Sequence, residues 1–384
     1  MCGKKKHKIL FMNHWAQHTG GAELSLIDII KETSKYEKTY LISSENGKLI
    51  EESGKSGTEC IIIPFEKSLS LLRRDNLFLL TIVNWKVIIS FLFYILKCKR
   101  EISRLSPDII HANVPKSHVI LFLLYLTGYS GKMVFHIREI FAVNSFAYFI
   151  YYLLFPSRNA KAIAVSNAVF RSLPKRIRNR TSVIYNGVNV NTQIKCRLSK
   201  DPQFLYLGRI VPWKGCDLLI NAFAKLVNKY ACRAGNLDLV GGTFYWDESY
   251  REKLKLMISD CHLDGRVNLL PYTDRTEDVY GSHDIFCIAS TREPFGRVVA
   301  EAQGWGLPVI AFNSGAISEI VIDKESGFLV NTFSCDLFFN AMANFIENPS
   351  LITTMGIAGQ KRIQKLFCKN QQIPLIVKSI TEMD

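Results

Sequence analysis

One stretch, Ser290-Thr-Arg-Glu-Pro-Phe-Gly-Arg-Val-Val-Ala-Glu-Ala-Gln-Gly-Trp-Gly-Leu-Pro-Val-Ile-Ala311, leaves this chain very few folds to choose from. It follows an apolar run, 284–289, that reads as a buried strand. Pro294 and Gly296 break the pattern, and 297–303 reads as a helix. Gly304 and Gly306 are placed to end that helix through a left-handed residue. Pro308 then begins the next strand, 309–312. A loop between the carboxyl end of a strand and a helix is where open α/β sheets place ligands. The first turn of the helix offers unpaired N–H groups and the positive end of a dipole, and Gly296 lets a ligand come close to the backbone. Two acids frame the loop. Glu293 lies within it, and Glu301 lies more than a turn inside the helix among Val298, Val299, Ala300 and Ala302, where a carboxylate needs a partner. Two carboxylates beside an anion-binding helix end suit a ligand with phosphate at one end and hydroxyls at the other. A nucleotide-sugar is such a ligand.

The whole chain has room for more than this unit. Its 384 residues suggest roughly two domains of about 150–200 residues, and 48% hydrophobic content supplies cores for both. Strands alternate with helices in each half, the mark of doubly wound α/β domains. In the first half the strands read as 8–12, 39–43, 60–64, 108–111, 132–136, 161–165 and 181–185; in the second as 204–207, 237–240 and 267–270, before the stretch above. The helices include 22–31, 119–126, 141–155, 216–229, 249–259, 334–346 and 350–367. Ten cysteines show no Cys-x-x-Cys pair, which argues against a zinc site or disulfide framework and for reduced thiols in the cytosol. The start of the chain is basic and then apolar, but Asn13, His14 and Gln17 interrupt it too early for a signal peptide.

Charge is unevenly spread. Residues 1–190 hold 27 Lys and Arg against 13 Asp and Glu, whereas 191–384 hold 21 of each. A basic half favours an anionic partner: nucleic acid, membrane surface or acidic substrate. The run 77–96 has about the length of a membrane span. Asn84, Trp85 and Lys86 lie in its middle, and a central Lys costs about 2.5–3.5 kcal/mol on insertion scales. Helices packed on the sheet, with one face touching lipid, fit the run better.

Further motifs fall at strand ends. Gly208-Arg-Ile-Val-Pro-Trp-Lys-Gly215 follows a strand and opens a helix, so Arg209 and Lys214 flank a Pro-bearing turn. Each could attract a phosphate charge by roughly 4 kcal/mol at about 4 Å and an effective dielectric near 20, before desolvation. A diphosphate leaving group needs such help as charge builds on it. The other reading is a solvated turn. Gly20-Gly21 is a tight turn into a helix N-terminus, a ready anion site. His136 ends a strand, and a lone histidine there is more often structural than catalytic. Nowhere does Asp-x-Asp occur, the pair that holds a divalent metal on a diphosphate in another common fold.

Glu293-Pro-Phe-Gly…Glu301, followed by Gly-Leu-Pro-Val-Ile-Ala311, resembles the signature of the family-4 retaining glycosyltransferases of group 1. The resemblance covers nearly the whole chain and is thinner in the first half. It implies a GT-B fold: two Rossmann-like doubly wound domains facing across a cleft, here 1–190 for the acceptor, 191–371 for the nucleotide-sugar, and a tail, 372–384, crossing back. It implies that Arg209 and Lys214 clamp the donor diphosphate, Glu293 binds hydroxyls of the transferred sugar, and Glu301 binds the ribose. Backbone near Phe295, Gly296 and Arg297 would meet the phosphates; Arg297 either adds charge there or is a plain surface residue. Gly20 and Gly21 match the family's N-terminal glycine loop, which contacts the donor diphosphate and also lines the acceptor cleft; His136 matches its catalytic histidine near the sugar, and Asn186 with Gly187 its interdomain turn, with a role in hinge or donor contacts. Arg138-Glu139 departs from the commoner acidic follow-up, which leaves the pairing around His136 open.

The reading is therefore a retaining, metal-independent hexosyltransferase. It needs no cofactor beyond a UDP-, GDP- or ADP-sugar donor. The basic first half points to a glycan or lipid-linked acceptor at a membrane surface, to bacterial polysaccharide or lipopolysaccharide synthesis, and to a cytoplasmic, peripheral place on the inner face. Two rivals stay open. A nucleotide-sugar epimerase shares the fold and would change the donor with no acceptor. A basic nucleic-acid-binding module would explain the charge, but no recognition motif or basic–aromatic stripe is present, so no nucleic-acid partner is expected.

Overall fold

The computed structural model describes residues 6–14, 16, 20–65, 85–142, 145–153, 155, 159–191, 201–242 and 248–382. The chain divides into two compact units. The first comprises 1–165, 169–184 and 373–384; the second comprises 166–168 and 185–372.

The first unit holds β1 (Lys8–Met12), α1 (Gly21–Thr33), β2 (Lys38–Ser43), α2 (Lys48–Gly54), β3 (Glu59–Ile62), α3 (Trp85–Leu105) and β4 (Ile109–Ala112). It continues with α4 (Pro115–Leu126), β5 (Lys132–Ile137), α5 (Phe146–Leu153) and β6 (Ala160–Ala164). Two short helices, α6 (Asn167–Ser172) and α7 (Lys175–Arg178), precede β7 (Thr181–Val183). All pairings are parallel, in the order β3-β2-β1-β4-β5-β6-β7. The central strands are apolar on both faces because helices cover both. Crossovers that leave β1 in opposite directions put their helices on opposite faces, since each is right-handed. The sheet is therefore doubly wound.

The second unit repeats the plan with β8 (Phe204–Leu207), α8 (Cys216–Tyr230), β9 (Leu237–Val240), α9 (Glu248–Asp260), β10 (Val267–Leu270), α10 (Thr276–Ser282), β11 (Ile285–Ile288) and α11 (Arg297–Gly304). After these come β12 (Val309–Phe312), α12 (Ile317–Ile320), β13 (Gly327–Val330), α13 (Cys335–Glu347) and α14 (Ser350–Leu366). The order is β10-β9-β8-β11-β12-β13, again parallel. The topological switch points lie between β1 and β4 and between β8 and β11. Both units are Rossmann-like.

Several features differ from the sequence reading; the helix expected over 141–155 is the shorter α5, and three others have a plain physical reason. Gly306 alone ends α11 in a left-handed conformation, at φ 77°. Gly304 stays helical, and its lack of a side chain serves another end: a Cβ there would lie 2.9 Å from the Asn189 carbonyl oxygen. α12 and β13 carry too few residues to show a period. The tail is a helix, α15 (Lys369–Thr381), with Pro374 inside it, and proline hides a helix from pattern reading. From Ile373 onward the helix packs into the first unit. There Ile373, Ile376, Val377 and Ile380 join Leu26, Ile30 and Ile9 in one core.

Of the run 77–96, residues 77–84 lie outside those described. The rest lies in α3, whose Tyr94, Ile95, Cys98, Ile102 and Leu105 are buried while Ile89, Leu92, Phe93 and Leu96 are exposed. Among the described residues no helix is long and apolar enough to cross a membrane.

Candidate functional site

The second unit collects most of the singled-out residues at the carboxyl edge of its sheet. β11 ends at Ile288, and the loop behind it is tied on two sides. Thr291 N–H donates to Trp213 O at 3.2 Å, and Ala316 N–H donates to Glu293 O at 2.8 Å. Ser314 Oγ donates to Ser290 O at 2.8 Å. Gly296 turns the chain into α11 at φ 88°, a conformation that side chains resist, and a Cβ there would meet Ile317 Cδ1 at 2.8 Å.

Opposite this loop runs the turn after β8. Tyr206, fully buried, donates its hydroxyl to Arg209 O at 2.6 Å and so braces the start of the turn. Gly215 ends it at φ 71°, where a Cβ would lie 2.5 Å from the Ala289 carbonyl oxygen. The turn is thereby pressed against the end of β11. That contact brings Lys214 to Glu293, and the two form an ion pair with side-chain exposures of 15% and 7%. Arg209 is exposed.

Glu301 has the partners its apolar setting requires. Arg297 Nε donates to Oε1 at 2.7 Å, one helical turn away, and the buried Tyr280 hydroxyl donates to Oε2 at 3.2 Å. Arg297 is therefore not a plain surface residue. The Phe295 ring packs between Tyr185 and Phe367, with centroids 6.2 and 6.0 Å away. Its ring braces the loop from below. Asn186 is buried at the head of a segment in which Val188 N–H donates to Phe367 O and Asn191 N–H donates to Gly304 O.

The first unit holds a second polar cluster, at the carboxyl ends of β1, β4 and β5. Register places Met12 beside Ala112, so Asn13 and Asn113 follow as neighbours. Asn113 Nδ2 donates to Asn13 Oδ1 at 2.9 Å, and Asn113 Oδ1 accepts from Arg138 Nε at 3.0 Å. Arg138 Nη2 also reaches Ser25 Oγ of α1 at 3.2 Å. His136 is fully buried, with Nδ1 at 3.2 Å from His111 Nε2 and 3.4 Å from Arg138 Nη2. His118 bridges Ala112 O and the Tyr151 hydroxyl. Burial first, and then the charge of Arg138, push His111 down to about 3 and hold His136 well below the usual histidine range. His118 falls to about 4, chiefly through burial. Gly20 and Gly21 lie at the N-terminus of α1, where Glu23 already accepts from the Gly20 N–H at 3.0 Å.

The sequence reading missed Tyr280, Tyr206, Asn13, Asn113 and Ser25. For the asparagines a signal existed, since each directly follows an apolar strand. For Tyr280 none did, because its helix was not recognised. Among the described residues no group of three His, Cys, Asp or Glu could hold a metal ion.

Comparison with known proteins bears on both units. Residues 191–362 match the family model for glycosyl transferases group 1, and residues 48–192 match that for glycosyltransferase family 4. An uncharacterised glycosyltransferase of Haemophilus influenzae is 31% identical over 46% of this chain and 49% of its own length. LpsE of Rhizobium meliloti, a lipopolysaccharide core biosynthesis glycosyltransferase, is 28% identical over 44% of this chain and 46% of its own. The chain thus spans about half the length of the curated relatives it matches. The fold has a near counterpart in Anabaena HepE, solved with UDP-glucose, at a TM-score of 0.78 and 23% identity over 97% of this chain and 100% of that one.

Proposed function

We propose that this chain, which belongs to the glycosyl transferases of group 1, family 4, transfers a hexose from a nucleotide-diphospho-sugar to a glycan or lipid-linked acceptor with retention of configuration. One observation carries the reading: the enclosed Lys214–Glu293 pair beside the left-handed Gly296 and the amino end of α11. The carboxylate suits hydroxyls of the sugar, and the ammonium suits the diphosphate to which that sugar is bonded. As the bond from the anomeric carbon to phosphate oxygen breaks, negative charge grows on the diphosphate. Lys214, Arg209 and the N–H groups at the start of α11 stabilise that charge. The acceptor oxygen bonds to the same carbon on the same face, and its proton passes to the departing phosphate oxygen. These cations occupy the role a metal would otherwise fill, and the sequence lacks Asp-x-Asp, so the transfer is metal-independent and needs no cofactor.

Glu301 serves the ribose, its carboxylate aimed by Arg297 and Tyr280. In the first unit, Gly20 and Gly21 serve both donor diphosphate and acceptor, and His136 serves the transferred sugar. The UDP-glucose held by HepE supports a nucleotide-sugar donor, and the relation to LpsE supports an envelope glycan as product. The basic first half and the exposed apolar stripe of α3 support work at the cytoplasmic face of a membrane.

The test is turnover. Purified chain is incubated with UDP-, GDP- and ADP-sugars and a panel of glycan and lipid-linked acceptors, and NMR reads the anomeric configuration of any product. Transfer with retention, in the presence of EDTA, is expected. Failure to turn over any donor sinks the proposal, and a donor epimerised without acceptor replaces it with the epimerase.

A further inference from the structure

Ser166, Asn167 and Ala168 follow β6, yet they belong to the second unit together with 185–372. A carboxylate of that unit grips them: Glu319, in the four-residue α12. Its Oε1 accepts from the Ala168 N–H at 2.7 Å. Its Oε2 accepts from the Asn167 N–H at 2.9 Å, from Asn167 Nδ2 at 3.0 Å and from the Tyr185 hydroxyl at 3.0 Å. Asn167 Nδ2 also donates to that hydroxyl oxygen at 2.8 Å, so the bonds run in one consistent direction. Burial, and then the charge of Glu319, push the Tyr185 phenol up to about 12, which keeps it a donor. The backbone that carries the carboxylate is fixed as well. Arg362 donates to Glu319 O at 2.7 Å and to Ile320 O at 2.9 Å. Hydrogen bonds to an ionised acceptor are the strong ones, about twice the neutral kind.

Two routes lead from this carboxylate to the loop after β11. Ser166, fully buried and next to Asn167, donates its Oγ to Pro294 O at 2.5 Å. Tyr185 lays its ring against that of Phe295, with centroids 6.2 Å apart. The routes end on the two residues directly after Glu293. Pro294 has no N–H by which the loop could be tied, so carbonyls serve instead: Pro294 O accepts from Ser166, and Glu293 O accepts from the Ala316 N–H at 2.8 Å. The two peptide groups that follow the Glu293 α-carbon are thereby fixed, and with them the direction in which its side chain leaves toward Lys214.

We infer that Glu319 is a positioning residue for transfer: through Ser166 and the Phe295 ring it clamps the loop that aims the Glu293 carboxylate. Glu319 itself meets no substrate in this role. A reacting group misplaced by about 1 Å can cost about 100-fold in rate, so a clamp at this distance has a kinetic effect. The effect on rate rests on the glycosyltransferase reading; the clamp does not.

Two measurements on the full chain test this in Glu319→Gln, whose amide turns donors toward donors, in Ser166→Ala, and in Tyr185→Phe, which keeps the ring. The first is amide hydrogen exchange. The Ala316 amide, whose acceptor lies in the loop, should exchange about tenfold faster in Glu319→Gln and Ser166→Ala, the equivalent of one lost hydrogen bond, while amides of β11 and β12 keep their rates. Unchanged exchange at Ala316 overturns the clamp, and faster exchange throughout β11 and β12 overturns it as general loosening. Should Glu319→Gln not fold, Ser166→Ala and Tyr185→Phe each cut one route and decide the matter. The second measurement is transfer. In Glu319→Gln kcat should fall about 10- to 100-fold, and less in the other two, while affinity for the nucleoside diphosphate of the donor stays within about twofold. Glu319→Gln/Ser166→Ala should lose less than the product of the single losses, since both changes act on one route. Losses that multiply, or nucleotide binding that falls in step with kcat, refute the positioning role. If wild-type protein turns over no donor, the glycosyltransferase reading has failed, and exchange at Ala316 still decides the clamp.

Discussion

At the level of single residues, Lys214 and Glu293 are bound to each other as firmly as either is bound to function. Removing one partner of an enclosed ion pair costs about 3–5 kcal/mol, because the other charge is left uncompensated. Glu293→Gln and Lys214→Met should each lower stability toward that range, and the double variant should recover part of it, with a coupling of about 0.5–3 kcal/mol in denaturant unfolding. Transfer should not recover. Each single variant and the double should lose about 10²- to 10³-fold in kcat, and a double variant that regains activity would show the pair to be structural only. The histidines of the first unit make a separate prediction about pH. His111 and His118 titrate at about 3 and 4 in the folded chain, below the usual histidine value near 6.5. The unfolded chain therefore binds more protons than the folded one as pH falls below about 6.5. Stability is complete above that value and declines toward pH 3, with a slope of about 1.4 kcal/mol per pH unit for each such histidine. Urea midpoints at pH 7.5, 6 and 5 measure this, and a flat profile would contradict it. The residue types at the donor site were legible in the sequence. Their pairing was not, because Lys214 and Glu293 lie 79 positions apart and meet only through the contact of Gly215 with Ala289.

At the level of elements, legibility followed burial. Strands covered on both faces read as unbroken apolar runs, and β1, β8, β11 and β12 were found for that reason. α12 and β13 hold four residues each and show no period. The two left-handed glycines that shape the donor loops should rank in a definite order. Ala at Gly296 carries left-handed strain of about 1–2 kcal/mol, and its Cβ comes too close only to the end of the Ile317 side chain, meeting Val299 at ordinary contact distance. Ala at Gly215 carries the same strain and also drives a Cβ into a backbone oxygen that cannot yield. Gly215→Ala should thus be the more destabilising in thermal unfolding, and the reverse order would refute this account of the turn. α3 makes a second element-level prediction. Its exposed Ile89, Leu92, Phe93 and Leu96 recur at helical spacing on the face opposite the buried one, with the exposed Lys97, Lys99 and Arg100 beside them. Such a stripe suits an anionic bilayer surface. Co-sedimentation with vesicles containing phosphatidylglycerol should fall in Leu92→Glu/Phe93→Glu and weaken with salt, whereas equal binding by the variant would place lipid contact elsewhere.

At the level of the whole molecule, the two alternations of strand and helix are visible in the residues themselves, whereas the return of the tail is implied only by the family resemblance. Pro374 breaks the pattern that would have announced α15, and the apolar residues after it have no partners near them in sequence. Their partners lie some 350 positions earlier, in α1 and β1. Ile373, Ile376, Val377 and Ile380 are each at most 9% exposed within that core. Burial of such a side chain contributes about 1.5–3 kcal/mol. Four of them supply on the order of 6–12 kcal/mol, comparable to the 5–15 kcal/mol that holds a whole domain folded. The first unit is therefore completed by the last residues of the chain. A chain ending at Gln372 should lose hydrogen-exchange protection in β1, β4 and β5 while β8, β11 and β12 keep theirs, since none of the four residues enters the second unit. Ile376→Ala should shift only the first unit, by about 2–5 kcal/mol. Protection unchanged in β1 after truncation would mean that α1 and the sheet close their core without α15.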